Sequence, residues 1–277
     1  MKNTRVILVT LFTLVSFKIF SQSTSGTLVD ASTKKGLPYV NIGILNKTLG
    51  TVSDNEGRFS LAIDERYNDD SLKISALGYE ARVFTVNEFR RLIAANPVIE
   101  LSEKPILLKE IVISGKKLKE KKRGNMTTST KFRGGFGNSQ LGNELGIVIK
   151  VGKKPERIKN FHASVVSNKI EGQKFRLNFY DVKHGLPHTR LVSEQIIFPI
   201  TTASGMFTLD LTNYNIIVTD DFFLSLELVE NPANVNKGGV FFSAGFFGDP
   251  LIVRHASQGE WKKVKAISIG FSVTTEY

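Results

Sequence analysis

The chain has no cysteine, which excludes disulfide bonds and thiol catalysis and leaves burial of apolar surface as the source of stability. Proline is scarce, at 8 in 277 residues, and tryptophan occurs once, as Trp261. Histidine is limited to His162, His184, His188 and His255. His184 and His188 lie four apart, but Gly185 and Pro187 make that stretch a loop, and no Glu accompanies them as a zinc protease would require. No metal and no cofactor is therefore expected. A bilayer-spanning helix needs about 20 apolar residues, and no run here reaches that length.

What the chain does have is phenylalanine, 20 in all, and Val, Ile and Thr in short runs broken by Gly, Asn and Asp. The apolar fraction of 41% and charged fraction of 23% are those of a globular chain. Together these features predict an all-β protein with room for two domains.

At the N-terminus, Lys2 and Arg5 precede an uncharged run from Val6 to Phe17, which Lys18 interrupts before small residues at Ser21 and Ser23. This is the pattern of a secretory signal peptide over residues 1–22, and it predicts export to the periplasm or to the outer membrane or cell surface. No cysteine follows the run, so the lipid-anchored form of bacterial export is excluded. Loss of Lys2, Arg5 and Lys18 takes the formal net charge from +11 to about +8. Much of that excess lies in Lys116, Lys117, Lys119, Lys121, Lys122 and Arg123, opposed by Glu120 alone. Flanking Ser114-Gly115 and Gly124-Asn125 suggest a solvated linker over residues 115–125, able to contact an anionic surface such as lipid A phosphates or an acidic polysaccharide. Nucleic acid is not an expected partner, because no reader motif or basic–aromatic platform accompanies the run.

Residues 23–114 fall into strands. Asp54, Asn55 and Gly57 form a tight turn, and Arg58 to Ile63 alternates so that Phe59 and Leu61 point into a core. Asp64 to Asp70 is an acidic loop without the spaced ligands of a calcium site. Val86 to Ala95 reads as a short helix capped by Asn87, with Phe89, Leu92 and Ile93 on one side and Asn96-Pro97 as its stop. Val98 to Leu101 and Leu107 to Ile113 read as closing strands. The ordered segments Gly26 to Asp30, Gly36 to Ile42, Gly50 to Leu61, Leu72 to Ser75 with Gly78-Tyr79, and Leu108 to Ile113 resemble the carboxypeptidase regulatory-like domain of bacterial cell-envelope proteins. The resemblance implies a transthyretin-like Greek-key β-sandwich, placed at the front of exported proteins that include TonB-dependent receptors. It implies no zinc chemistry and transfers no catalytic residue. A receptor's plug and large barrel would need several hundred residues more than follow here.

Residues 126–277 supply further alternating strands. Leu145, Ile147, Ile149 and Val151 share one face, as do Phe175, Leu177 and Phe179, then Phe222, Leu224, Leu226 and Leu228. Val240, Phe242, Ala244 and Phe246 form another, and Ile267, Ile269, Phe271 and Val273 the last. The pattern predicts a second β-sandwich of jelly-roll type. Segments such as Lys174 to Val182 and Gly205 to Leu211 resemble β-sandwich regions of exported bacterial proteins, which implies no activity. A small outer-membrane barrel is the alternative, since Ser268 to Tyr277 alternates and ends in an aromatic residue; Pro187, Pro199, Pro232 and Pro250 oppose it.

Catalytic patterns are thin. Ser204-Gly205 and Ser243-Ala244-Gly245 lack a nucleophile elbow, and Asp220-Asp221 or Glu227 with Glu230 supply carboxylates whose spacing alone does not place them across a glycosidic bond. Tyr180, Phe223 and Trp261, with Phe241 and Phe247 beside them, are the aromatic candidates for a ligand surface. The expectation is a non-catalytic exported protein that binds a protein partner or a glycan. A peptidase or glycosidase role is the enzymatic alternative.

Overall fold

The computed structural model describes residues 22–104, 118–137, 140–152, 154–170, 172–232, 238–246 and 248–277. The expected leader up to Ser21, the strand Leu107 to Ile113, Lys116, Lys117 and Phe247 lie outside them. The chain is all-β, as its composition predicts.

The first unit runs β1 (Gln22–Asp30), β2 (Asn41–Ile44), β3 (Gly50–Val52), β4 (Arg58–Ile63), β5 (Ser71–Ser75), β6 (Arg82–Thr85), helix α1 (Val86–Ala95) and β7 (Val98–Leu101). Among the described residues, β4-β1-β7 form one sheet and β3-β2-β5-β6 a second. Leu28, Ile42, Phe59, Leu61, Ile74, Ile99 and the helical Phe89 fill the space between them. The turn before β4 forms as its residues dictate. Asp54 Oδ1 accepts from the backbone N–H groups of Glu56 and Arg58 at 2.9 and 2.8 Å, and Gly57 takes a φ of +79°.

Helix α1 differs from expectation in its cap. Thr85, not Asn87, is the N-cap: its hydroxyl accepts from Glu88 N–H at 3.1 Å, while the Glu88 carboxylate accepts from Thr85 N–H at 2.8 Å. A Thr followed three residues later by Glu satisfies two helix-end donors at once, which a single Asn side chain cannot do. The acidic loop folds as a single 3₁₀ turn, Glu65–Tyr67, capped by Asp64.

The second unit contains β8 (Glu120–Gly124), β9 (Arg133–Phe136), β10 (Glu144–Ile149), β11 (Glu156–Asn168), β12 (Lys174–Lys183), β13 (Leu186–Arg190) and β14 (Ile196–Pro199). It continues with β15 (Gly205–Asp210), β16 (Ile217–Val218), β17 (Phe222–Glu230), β18 (Val240–Phe246), β19 (Leu251–Arg254), β20 (Lys262–Val264), β21 (Ile267–Ile269) and β22 (Phe271–Glu276). One sheet is ordered β13-β12-β17-β10-β19-β20 and the other β21-β18-β11-β22-β8, with short strands added to β11, β12 and β18. Phe175, Leu177, Phe179, Phe222, Leu224 and Leu226 of the first sheet meet Phe161, Phe242, Phe271 and Val273 of the second. These apolar side chains face inward between two sheets. An outer-membrane barrel turns them outward to lipid, so the barrel alternative does not fit. Among the described residues, no helix is long and apolar enough to cross a membrane.

Two further differences follow from pairing. The expected linker is, from Glu120 to Gly124, a strand paired with β22 at the margin of its sheet, so the second sandwich begins before residue 126. Charged side chains are what an edge strand needs to resist pairing with other chains. The expected last strand is two: Ile267–Ile269 pairs with β18, and after Gly270 the chain pairs with β11. Phe246, expected on the core face of β18, is exposed and packs edge-on against Phe132 at 4.6 Å.

Candidate functional site

The outward face of the β12-β17-β10-β19 sheet is polar by alternation. Arg176, Asn178 and Tyr180 of β12 point away from the core; so do Ser225 and Glu227 of β17, Glu144 of β10 and Arg254 of β19. All seven are nevertheless buried, because β2 and the turn before it cover them. Glu227 is the hub. Its Oε2 accepts from Arg176 Nε and Nη2 at 3.0 and 2.8 Å and from Asn178 Nδ2 at 3.0 Å, and its Oε1 accepts from Asn41 Nδ2. Arg190 and Arg254 stand 3.6 and 3.7 Å from the same carboxylate. Burial pushes the Glu227 carboxyl up, but Arg176, Arg254 and Arg190 outweigh it and hold it at about 2. Glu144, its cross-strand neighbour, pairs with Arg254 Nη2 at 2.6 Å and accepts from Asn178 at 2.8 Å.

The first sandwich is tied into this network by backbone as well as side chains. Tyr39 sits at φ +56°, a costly conformation for a bulky residue, and its carbonyl accepts from Arg176 Nη1 at 2.8 Å. Its hydroxyl donates to Glu230 at 2.7 Å, which Lys174 also engages at 3.1 Å. From the other side, the loop after Arg254 crosses to the first sandwich. Asn46 N–H donates to the Gln258 carbonyl at 3.0 Å and Gln258 Nε2 donates to Ser75 Oγ at 2.8 Å. Gly43 and Gly50 lie under Ser257, whose carbonyl oxygen occupies the place any Cβ would take.

Beside this seam opens a cleft of about 510 Å³, walled by Lys73, Tyr79 and Lys104 from the first sandwich and by Tyr180, Arg190 and Trp261 from the second. Arg254 lies at its base, 4.8 Å from the Trp261 ring, and Arg190 stands over the Tyr180 ring at 5.8 Å. Burial, ahead of the Glu144 charge, pushes the Tyr180 phenol up to about 12, so it stays a neutral donor at any physiological pH.

The three aromatic candidates meet here. Tyr180, Phe223 and Trp261 form one cluster with ring centroids 5.2 to 6.0 Å apart. Tyr180 and Trp261 line the cleft, whereas Phe223 is fully buried beneath them. Phe241 lies elsewhere, under Arg133 at 4.9 Å. The histidines do not converge. His162 bonds Thr208 and Thr274 at 2.9 and 2.8 Å, His184 sits in the β12–β13 turn, His255 is exposed, and His188 reaches the cleft rim. Among the described residues, no three His, Asp or Glu side chains group as metal ligands. Of the basic run, Arg123 is engaged by buried Glu156, while Lys119, Lys121 and Lys122 remain exposed.

Reading the sequence alone misses Arg176, Arg190, Arg254, Glu144 and Asn41. The available signal was alternation itself: Lys174, Arg176 and Asn178 oppose Ser225 and Glu227 on one face of two apolar strands. Nothing local told that a second domain covers that face.

Residues 24–113 match the family model of the CarboxypepD_reg-like domain. The first sandwich is a CarboxypepD_reg-like domain. In this chain the regulatory-like domain contributes Tyr39, Asn41 and the Lys73 wall of the cleft, none of which is a catalytic residue transferred by family membership. Among curated proteins, none matches the chain in sequence. Solved structures that it resembles include the cysteine protease and lectin-like domains of Cwp84, a surface-layer-associated protein of Clostridium difficile, at 9% identity and a TM-score of 0.43. That alignment covers 93% of this chain and 59% of the other. The VP2 subviral particle of infectious bursal disease virus follows at 9% identity and a TM-score of 0.28, over 92% of this chain and 63% of the other. The chain thus spans about three fifths of the length of these structures.

Proposed function

We propose that this is a non-catalytic, exported cell-envelope protein that binds a protein partner or a glycan in the cleft between its two sandwiches. One observation carries the reading: the described lining includes four cationic side chains, Lys73, Lys104, Arg190 and Arg254, and three aromatic ones, Tyr79, Tyr180 and Trp261, but no carboxylate. Cationic and aromatic groups converging in a concave site are binding equipment. The buried carboxylates Glu144 and Glu227 lie behind the lining, saturated by arginine and amide donors, and Glu227 is held ionised. A glycosidase needs one carboxyl protonated and both facing the scissile bond, which this pair does not offer. Export rests on the leader pattern of Lys2 to Ser21. Lys121 and Lys122 on the edge strand β8, with Lys119 just before it, provide a second, weaker contact for an anionic surface.

The test is retention of the purified full-length mature chain on envelope fractions, alongside a carbonate wash of expressing cells. Wild-type protein is expected to be released by carbonate and to bind envelope fragments, and the double variant Arg190→Gln/Lys104→Gln to bind at least fivefold less. Equal retention of the two would discard the cleft, and a cytoplasmic chain with its leader intact would discard export.

A further inference from the structure

We infer that the occupant of the cleft is an acidic saccharide, a sugar ring bearing an anionic group that Arg190 receives; this rests on the binding reading above and names its ligand class. The charge count gives the sign. The buried network holds three guanidinium groups, Arg176, Arg190 and Arg254, against two carboxylates, Glu144 and Glu227. Arg176 is fully used by Glu227, Tyr39, Asn41 and Gln195. Arg254 is half used: Nη2 pairs with Glu144, whereas the buried Nε has no acceptor among the described residues. Arg190 has the least carboxylate contact, its other neighbour being the Tyr180 side chain. The nearest carboxylate oxygen lies 3.6 Å away, beyond good hydrogen-bond geometry, and the remaining fifth of its side-chain surface is open.

The rim adds charge of the same sign. Lys73 and Lys104 enter from the regulatory-like domain, and among the described residues neither pairs with a carboxylate. His188 stands on the opposite rim, 3.5 Å from Asp181. Partly used guanidinium and ammonium groups inside low-dielectric walls focus positive potential into the cleft, and a guanidinium fork matches a planar carboxylate or a phosphate.

The remaining lining selects the body that carries the anion. Aliphatic side chains are few: Ala76, Leu77 and Val192. Hydroxyl and amide groups from Asn41, Ser75, Tyr79, Thr189 and Gln258 stand beside the indole of Trp261. A peptide adding along the end strand β13 would also call for apolar side-chain pockets, which Ala76, Leu77 and Val192 are too few to form, whereas a polyhydroxylated ring uses hydroxyl and amide partners with an aromatic neighbour. The volume of about 510 Å³ suits a small ligand or the terminal unit of a longer chain.

Trp261, the sole tryptophan, makes the site its own reporter. The experiment titrates the full-length mature protein with trigalacturonate, with its carboxyl-reduced neutral counterpart, with glucose 6-phosphate and with hexaglutamate, following indole emission and calorimetric heat. Saturable binding of trigalacturonate or glucose 6-phosphate is expected, at least tenfold tighter than the neutral sugar or hexaglutamate. The preferred one of the two then identifies carboxylate or phosphate as the anion. Arg190→Gln is expected to weaken it at least tenfold, and the exposed Lys104→Gln two- to threefold with an unchanged melting temperature. Equal binding of the neutral sugar overturns the charge assignment, and equal or tighter binding of hexaglutamate overturns the saccharide. Silence toward all four probes, with envelope retention still dependent on Arg190, rejects the ligand class alone. Silence together with independent retention rejects the cleft as well.

Discussion

The two faces of one sheet follow opposite logic. On the inner face of β12 and β17, Phe175, Leu177, Phe179, Phe222, Leu224 and Leu226 are held by packing. On the outer face of the same strands, Arg176, Asn178, Ser225 and Glu227 are equally buried but held by hydrogen bonds and charge. The inner face is non-directional and tolerates any well-packed apolar set. The outer face is directional: each donor requires its acceptor, so it fixes how the two sandwiches sit against each other and leaves surplus positive charge at the cleft beside the seam.

The sharpest way to separate the faces is to remove one group from each. Phe222→Ala deletes a fully buried ring that packs on Phe179 at 5.8 Å, at an expected cost of about 3–5 kcal/mol. Glu227→Leu leaves three guanidinium groups beside a missing carboxylate and is expected to cost about as much. Their pH dependence sets them apart. Glu227 is depressed from 4.5 to about 2 on folding, so its stabilisation is complete above about pH 4.5 and is lost as pH falls toward 2. Urea midpoints followed by Trp261 emission should therefore show the gap between wild type and Glu227→Leu closing across that window, by about 3 kcal/mol in all. The gap between wild type and Phe222→Ala should stay constant. A pH-independent Glu227→Leu deficit would show that the outer face is held by shape.

The inner face was legible in the sequence because period-2 alternation names the apolar set directly, and Phe175 to Phe179 or Phe222 to Leu228 needed nothing more. The outer face was half legible. Alternation placed Arg176 and Glu227 opposite the core, but a polar face reads as solvent-exposed unless a partner surface is known, and that surface, around Tyr39 to Ile44, lies more than a hundred residues earlier. Carboxylates such as Glu227 and Glu230 therefore read as a loose pair on a strand margin, when each is in fact an anchor for the first domain. Tyr180 and Trp261 were found for being aromatic; the arginines that give the cleft its charge were not, because their convergence is long-range. The turn at Asp54 to Gly57 was fully legible, since its bonds are local.

A middle-sized effect tests the seam without touching a charge. At Gly43 the backbone of β2 passes so close to the Ser257 carbonyl that an added methyl group must displace the loop. Gly43→Ala is expected to cost about 1–3 kcal/mol. Because that loop leads into Trp261, the emission of the folded variant should shift to the red, and binding in the cleft should weaken with Arg190 and Lys104 both intact. The same substitution at Gly78, where a Cβ meets nothing within 4 Å, changes only backbone preference at φ +84° and should leave Trp261 unmoved. Indistinguishable emission from the two variants would mean that the loop yields freely and does not position the indole.

The smallest effect lies far from the seam and asks whether the first sandwich is stabilised independently of it. Thr85 and Glu88 satisfy each other's backbone donors at the start of α1, whereas the Asn87 side chain is exposed and takes no part in the cap. Thr85→Ala should cost about 1 kcal/mol. Asn87→Ala should cost nothing or stabilise by a few tenths of a kcal/mol, since alanine is the better helix former and no cap is lost. Both changes leave the buried network intact, so neither should alter Trp261 emission or its acid profile. A Thr85→Ala variant that did change the cleft would show that α1 reaches the seam through Phe89 and the strands it packs on, and that the division between a locally stabilised domain and a charge-locked junction is drawn in the wrong place.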